Sequence, residues 1–162
     1  MTLENGRYSG RLYRALNPVY ARDPLSGRGA ERFGGRFNAQ GVAALYTALD
    51  PVTALREANQ VGDLQPTTLV SYRGEVGPVF DTRDAAALAG QGLTPDALAD
   101  PGWRIAMLDR RPVPTQDFAT RLIAAGYAGL LVRSFAAGAR GLNMVLWDWP
   151  ALSVIDDEDR LR

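Results

Sequence analysis

The chain has 162 residues, 46% of them hydrophobic, with 18 arginines balanced by 18 acidic residues and no lysine, histidine or cysteine. That length suits one domain with a proper core, and zero net charge removes any whole-protein case for binding nucleic acid or a membrane. The missing residue types exclude disulfides, thiol nucleophiles, thiolate or imidazole metal sites and a Ser-His-Asp triad, so any chemistry must run on carboxylates, hydroxyls, guanidiniums and backbone groups.

From the N-terminus, MTLENGRYSGR carries no apolar signal core, and no apolar run reaches membrane-spanning length, so a soluble cytoplasmic protein is expected. Residues 9–16, SGRLYRAL, alternate as a strand, with Leu12, Arg14 and Leu16 on one face and Tyr13 on the other. An arginine on the apolar side of a strand is unusual. Residues 17–35 are rich in glycine and arginine and show no period, which predicts a long loop; such loops inside compact domains are commonly functional.

The central stretch is residues 34–57, GGRFNAQGVAALYTALDPVTALRE. It opens on a tight connection holding Gly34, Gly35, Arg36 and Asn38, and continues after Gly41 into a short buried strand carrying Tyr46. Asp50-Pro51 reads as an N-cap followed by proline in the first helical position. The helix that follows is expected to end near Val61-Gly62, and it puts Thr53 and Glu57 on one face. A loop arginine, a strand tyrosine and a helix glutamate can thus meet at one end of a loop–strand–helix unit.

Residues 67–79 predict one or two strands broken at Gly74 and Gly77. Residues 81–102 predict one or two short helices, and residues 103–111 a further one. Pro112 and Pro114 interrupt, and an amphipathic helix starts at Thr115, buries Phe118, Leu122 and Ile123, and stops at Gly126. Residues 127–135 and 142–149 predict two buried strands around a glycine-rich turn, the second ended by Pro150. Beyond it, residues 150–162 form an acidic C-terminal tail, whose Asp156, Asp157, Glu158 and Asp159 read as solvated rather than metal-binding. The whole predicts one α+β domain over residues 1–162, with its core in 12–149 and a mixed, mainly antiparallel sheet flanked by helices.

Phosphate-loop motifs fail: GRGAERFGGRFN fits neither the P-loop nor the dinucleotide-binding glycine pattern, leaving only a general anion site of arginines near exposed backbone. RNA cleavage gains nothing, because neither a basic patch nor an acid–base pair is evident. A lone carboxylate, Glu57, with a tyrosine and arginines suits cleavage of a glycosidic bond whose leaving group is already good. NAD+ has such a bond, since its nicotinamide is cationic and leaves without protonation. One carboxylate can stabilise the ribosyl cation, arginines can hold the pyrophosphate and an aromatic ring can stack on nicotinamide.

The spacing resembles a known family. GGRFN, Tyr46 ten residues after Arg36, and Glu57 eleven after Tyr46 are similar to the RES domain, as are LYRAL, PLSGRGA, ALYTALDPVTALRE, VRSF and GLNMVL. The likeness runs from about Leu12 to Trp147, with Phe37 where the family more often has Trp. RES domains are named for an Arg, a Glu and a Ser, and form the toxin half of bacterial toxin–antitoxin pairs. The resemblance implies an ADP-ribosyltransferase-like fold and attack on NAD+ as substrate, with no metal. It carries Arg36, Tyr46, Glu57 and Ser134 over as site residues, with Arg14 and Asn143 in support and with Asn38 and Asn143 bracing the loops. In those terms Glu57, Arg36 and Tyr46 are catalytic, while Arg14, Arg36, Tyr46, Ser134 and Asn143 bind the dinucleotide. It further implies an antitoxin partner with a helix-turn-helix part, covering the NAD+ pocket in a hetero-oligomer, and it leaves a homodimer open. ADP-ribose would pass to a protein acceptor, or else to phosphate or water with NAD+ depletion. A non-enzymatic module that only pairs with its antitoxin is the alternative from another class.

Overall fold

The computed structural model describes residues 1–60 and 62–161. The described residues form seven strands and six α-helices: β1 (Tyr8–Leu16), α1 (Arg28–Phe33), β2 (Leu45–Ala48), α2 (Pro51–Ala58), β3 (Thr68–Val76), β4 (Val79–Asp81), α3 (Ala85–Gly90), α4 (Pro95–Ala99), α5 (Trp103–Leu108), α6 (Pro114–Ala124), β5 (Gly129–Arg133), β6 (Leu142–Leu146) and β7 (Leu152–Val154). The strands make a single mixed sheet in the order β4-β5-β6-β2-β1-β3-β7, antiparallel everywhere except between β4 and β5. The α+β expectation, with a mainly antiparallel sheet, therefore holds. None of the helices in the described residues is long and apolar enough to cross a membrane.

The central strands β5, β6 and β2 are covered on both faces, whereas β3 alternates buried with exposed or half-buried residues, and the period of two sorts side chains between two apolar clusters. Leu131, Met144 and Leu146 join Leu12, Leu16, Leu45, Val70 and Tyr72 on one face. Leu130, Val132 and Val145 join Phe37, Phe80, Leu88, Phe118 and Leu122 on the other, beneath α6. Tyr46 packs against this second cluster, and the register sets it opposite Val145, with Asn143 opposite both Ala48 and Val132. Tyr46 and Asn143 are thereby brought to one region of the second face, while Thr47 turns to the first and donates to the Met144 carbonyl.

Helix α2 starts as its sequence dictates. Asp50 is the N-cap, its carboxylate accepting from the Thr53 N–H at 2.8 Å and from the Thr53 hydroxyl at 2.6 Å, with Pro51 in the first turn. It stops at Ala58, short of the expected end, because the Asn59 side-chain amide donates to the Leu55 carbonyl and closes the last turn. Of the predicted end, Val61 lies outside the described residues.

Other expectations are corrected. The predicted loop over residues 17–35 contains a 3-10 turn (Pro18–Tyr20) and α1. With Gly29 inside it and no side-chain N-cap, α1 has poor intrinsic helix propensity; tertiary contacts hold it, including the Asn38 amide on the Ala30 carbonyl. Strand β3 runs unbroken through Gly74, where a Cβ would sit 2.1 Å from the Ala151 carbonyl oxygen, so the glycine admits the neighbouring chain rather than ending the strand. Helix α6 begins at Pro114 with Val113 as N-cap, making the proline its first residue instead of a break before it. The strand begun at Leu142 ends at Leu146, and the segment assigned to the acidic tail first supplies β7, an edge strand on β3. Three residues with one buried leucine are too few to show a period.

Candidate active site

The loop after α1 is built on two glycines. Gly34, at φ 73°, caps α1 through its N–H on the Ala30 carbonyl at 2.8 Å. At Gly35 a Cβ would lie 2.5 Å from the Tyr46 hydroxyl and 2.6 Å from the Asn38 side-chain oxygen, so only glycine lets this loop close on β2. Asn38 is fully buried, and its Nδ2 donates to the carbonyls of Ala30 (2.8 Å) and Val42 (2.9 Å). Its Oδ1 accepts from the Tyr46 hydroxyl at 2.7 Å, and that hydroxyl accepts from the Phe37 N–H at 3.0 Å. Burial pushes the Tyr46 phenol far above its ordinary range, against the opposing pull of the Phe37 N–H and of Arg36. The phenol therefore stays protonated, with its hydroxyl used up in pinning the loop.

Arg36 leaves the same loop across the cleft. Its Nη1 donates to the carbonyls of Leu98 (3.0 Å) and Asp100 (2.7 Å), and its guanidinium carbon lies 4.9 Å from the Phe135 ring centroid and 5.9 Å from that of Trp103. Burial lowers its pKa, with the charges of Glu57 and Asp100 acting in the other direction. Arg36 thus ties the loop to the segment between α4 and α5.

Glu57 lies at the C-terminal end of α2, facing the ends of β5 and β6. Its Oε1 accepts from Asn143 Nδ2 at 2.6 Å and from the Ser134 hydroxyl in a short hydrogen bond. Its Oε2 accepts from Gln60 Nε2 at 2.9 Å. The second carboxamide atom of Asn143, Oδ1, is buried with no hydrogen-bond partner among the described residues.

These elements enclose a cleft of about 580 Å³, lined by Arg36, Tyr46, Glu57 and Asn143 together with Gln60, Trp103, Arg104, Arg133 and Phe135 among others. That volume is in the range of small-molecule and cofactor sites. The guanidiniums of Arg104 and Arg133 make no hydrogen bond or ion pair among the described residues; Arg104 stacks on Trp103 at 5.0 Å. Three guanidiniums and one carboxylate leave a positive, aromatic-walled site suited to a dianionic ligand with a planar ring.

The structure brings Arg36, Tyr46, Glu57 and Asn143 together around this cleft, with Ser134 directly behind the Glu57 carboxylate. Arg14 is placed apart. It shares a face of β1 with Leu12 and Leu16, its Nη1 reaches the carbonyls of Pro24 and Ser26 at 3.5 Å each, and it borders an adjoining cavity of about 180 Å³. Tyr46, Glu57 and Asn143 also line that smaller cavity. Sequence reasoning missed Gln60, Trp103, Arg104 and Arg133. Two of them carried a signal: Gln60 is three residues beyond Glu57, within side-chain reach, and Arg133 precedes Ser134 in VRSF.

Comparison with known proteins gives the fold and the family. No match was found among curated protein sequences. Among solved structures, a chain of the MbcT–MbcA toxin–antitoxin complex of M. tuberculosis has a similar fold, with a TM-score of 0.68 and 24% sequence identity over 93% of this chain and 83% of that one. The family described as the RES domain matches residues 11–162. The protein is a member of the RES domain family.

Proposed function

We propose that this protein is the toxin of a toxin–antitoxin pair, acting in the cytoplasm by cleaving the nicotinamide–ribose bond of NAD+ and passing ADP-ribose to a protein acceptor. The observation that carries the reading is Glu57: a carboxylate held by Ser134 and Asn143 at the wall of a cleft otherwise lined by Arg36, Arg104 and Arg133. In this reaction the C–N bond breaks with its electron pair going to the cationic ring, which leaves as neutral nicotinamide. The ribosyl carbon left behind is oxocarbenium-like, and an acceptor oxygen or nitrogen then bonds to it and loses its proton. What the protein must supply is a fixed negative charge beside the ribose and positive charge along the pyrophosphate.

Glu57 takes the first role. Arg104 and Arg133 offer whole guanidiniums to the two phosphates, and Arg36 its edge not bound to carbonyls. Tyr46, with its hydroxyl engaged by the loop, presents its ring to nicotinamide, and Asn143 lines the dinucleotide cleft and orients the Glu57 carboxylate through its Nδ2. Ser134 acts by fixing the inner oxygen of Glu57. Arg14 has a secondary part, adding positive potential from the adjoining cavity while holding residues 24–26. An antitoxin placing acidic groups over this arginine-rich cleft would block it, which accords with the toxin–antitoxin complex from which the similar fold comes.

The test is to incubate the purified protein with NAD+, with and without its antitoxin, and to follow free nicotinamide, then to search lysate proteins for added ADP-ribose by mass spectrometry. Nicotinamide release suppressed by the antitoxin, with a labelled protein, is the expected result. Release without any labelled protein would transfer the acceptor role to phosphate or water. No release from antitoxin-free protein would overturn the enzyme and leave a binding module.

A further inference from the structure

Glu57 has two oxygens in different situations. Oε1 is gripped by two residues anchored at the sheet, Asn143 on β6 and Ser134 just after β5. Among the described residues, Oε2 accepts a hydrogen bond only from the side chain of Gln60, an exposed residue past the end of α2. The same Gln60 Nε2 also donates to the Glu57 backbone carbonyl at 3.1 Å, so the amide is folded back over the helix end and occupies the cleft wall. Oε2 has a second lone pair, but the Gln60 side chain that engages the first lies in the cleft wall beside it, so a hydroxyl arriving from the cleft meets that exposed side chain at the oxygen.

We propose that Gln60 is a positioning residue that competes with the substrate: its amide holds the outer oxygen of Glu57 in the empty protein and is displaced by a ribose hydroxyl of the bound dinucleotide. The inference rests on the NAD+ reading of the cleft. Because Ser134 and Asn143 hold Oε1 independently, the carboxylate keeps its orientation when Gln60 swings away, and exchange of one donor for another leaves Oε2 satisfied throughout. The cost of the exchange falls on binding rather than on the bond-breaking step. The residue thus sets the substrate concentration at which the enzyme works.

Two variants separate the amide from the bulk of the side chain. Gln60→Met keeps the length and loses the donor; Gln60→Ala loses both. With one exposed hydrogen bond no longer in competition, both should lower the KM for NAD+ by about two- to tenfold with kcat changed far less. Both should also tighten the Kd for ADP-ribose, measured by calorimetry, in the same ratio. Gln60→Glu puts a second carboxylate against Glu57 and should weaken ADP-ribose binding instead. A KM and Kd that rise in the Met and Ala variants would make Gln60 a direct ligand of the substrate and overturn the proposal, and values equal to wild type would overturn it as well. A wild-type protein that binds ADP-ribose but releases no nicotinamide would sink the catalytic reading while the Kd ratios still decide the role of Gln60. Binding of neither ligand would remove both.

Discussion

The two walls of the cleft are built on opposite plans. On the loop wall, polar groups are spent on the protein itself: the Tyr46 hydroxyl on Asn38 and Phe37, the Asn38 amide on two carbonyls, and one nitrogen of Arg36 on two more. On the helix and sheet wall they are left available: Glu57 Oε2 under one exposed amide, and the Arg104 and Arg133 guanidiniums unbonded among the described residues. One motif therefore serves two ends, the first half fixing a shape and the second half offering charge. Substitutions on the two walls should consequently fail in different assays.

The largest effect is expected at the carboxylate. Glu57→Ala should slow nicotinamide release on the order of 10²–10³-fold while the melting temperature stays close to that of wild type, as for the loss of one preorganised electrostatic stabiliser. A matching loss of stability would mean that this wall is scaffold after all. The loop wall should behave in the reverse way. Asn38→Ala strands two carbonyls and the Tyr46 hydroxyl in the interior, and should cost about 3 kcal/mol in urea denaturation.

Smaller and more specific is Tyr46→Phe, which leaves the Phe37 N–H and the Asn38 oxygen without their shared partner and should cost about 2 kcal/mol. It also has a pH signature. Because burial raises the Tyr46 pKa above its ordinary value of 10.0, its contribution is present in full below that value and is lost as the pH rises beyond it. Wild type should therefore lose more stability on alkaline titration than Tyr46→Phe does. Arg133→Ala and Arg104→Ala, on the available wall, should each raise the KM for NAD+ by about tenfold through a lost phosphate contact. Arg14→Ala, outside the main cleft, should raise it the least of the three; a KM penalty at Arg14 exceeding that at Arg133 would move the phosphates toward the smaller cavity.

How much of this was visible in the chain differs between the same two walls. Asp50-Pro51 announced α2, and the apolar run before it announced β2, because caps and short buried strands are written in adjacent residues. The convergence of Arg36, Tyr46 and Glu57 followed from those elements plus two turn glycines. The division of labour did not, since whether a polar group is spent or free depends on the folded contacts: Asn38 on Tyr46 through the folded-back loop, Leu98 and Asp100 on Arg36 across sixty-odd positions. Arg104 gives no warning for the same reason, and Arg133 only its place beside Ser134, as α5 and the end of β5 meet the cleft only once the chain is folded. β7 escaped notice because three residues carry no period, and α1 because its helix is held by contacts and not by propensity.

The most direct test of the account is single-turnover release of nicotinamide from NAD+ by the wild-type protein and by Glu57→Gln, which keeps the side-chain shape and removes the charge. The account predicts release by the wild type, and a rate on the order of 10²–10³ lower for the amide at equal stability. A Glu57→Gln protein that releases nicotinamide as fast as wild type would contradict it.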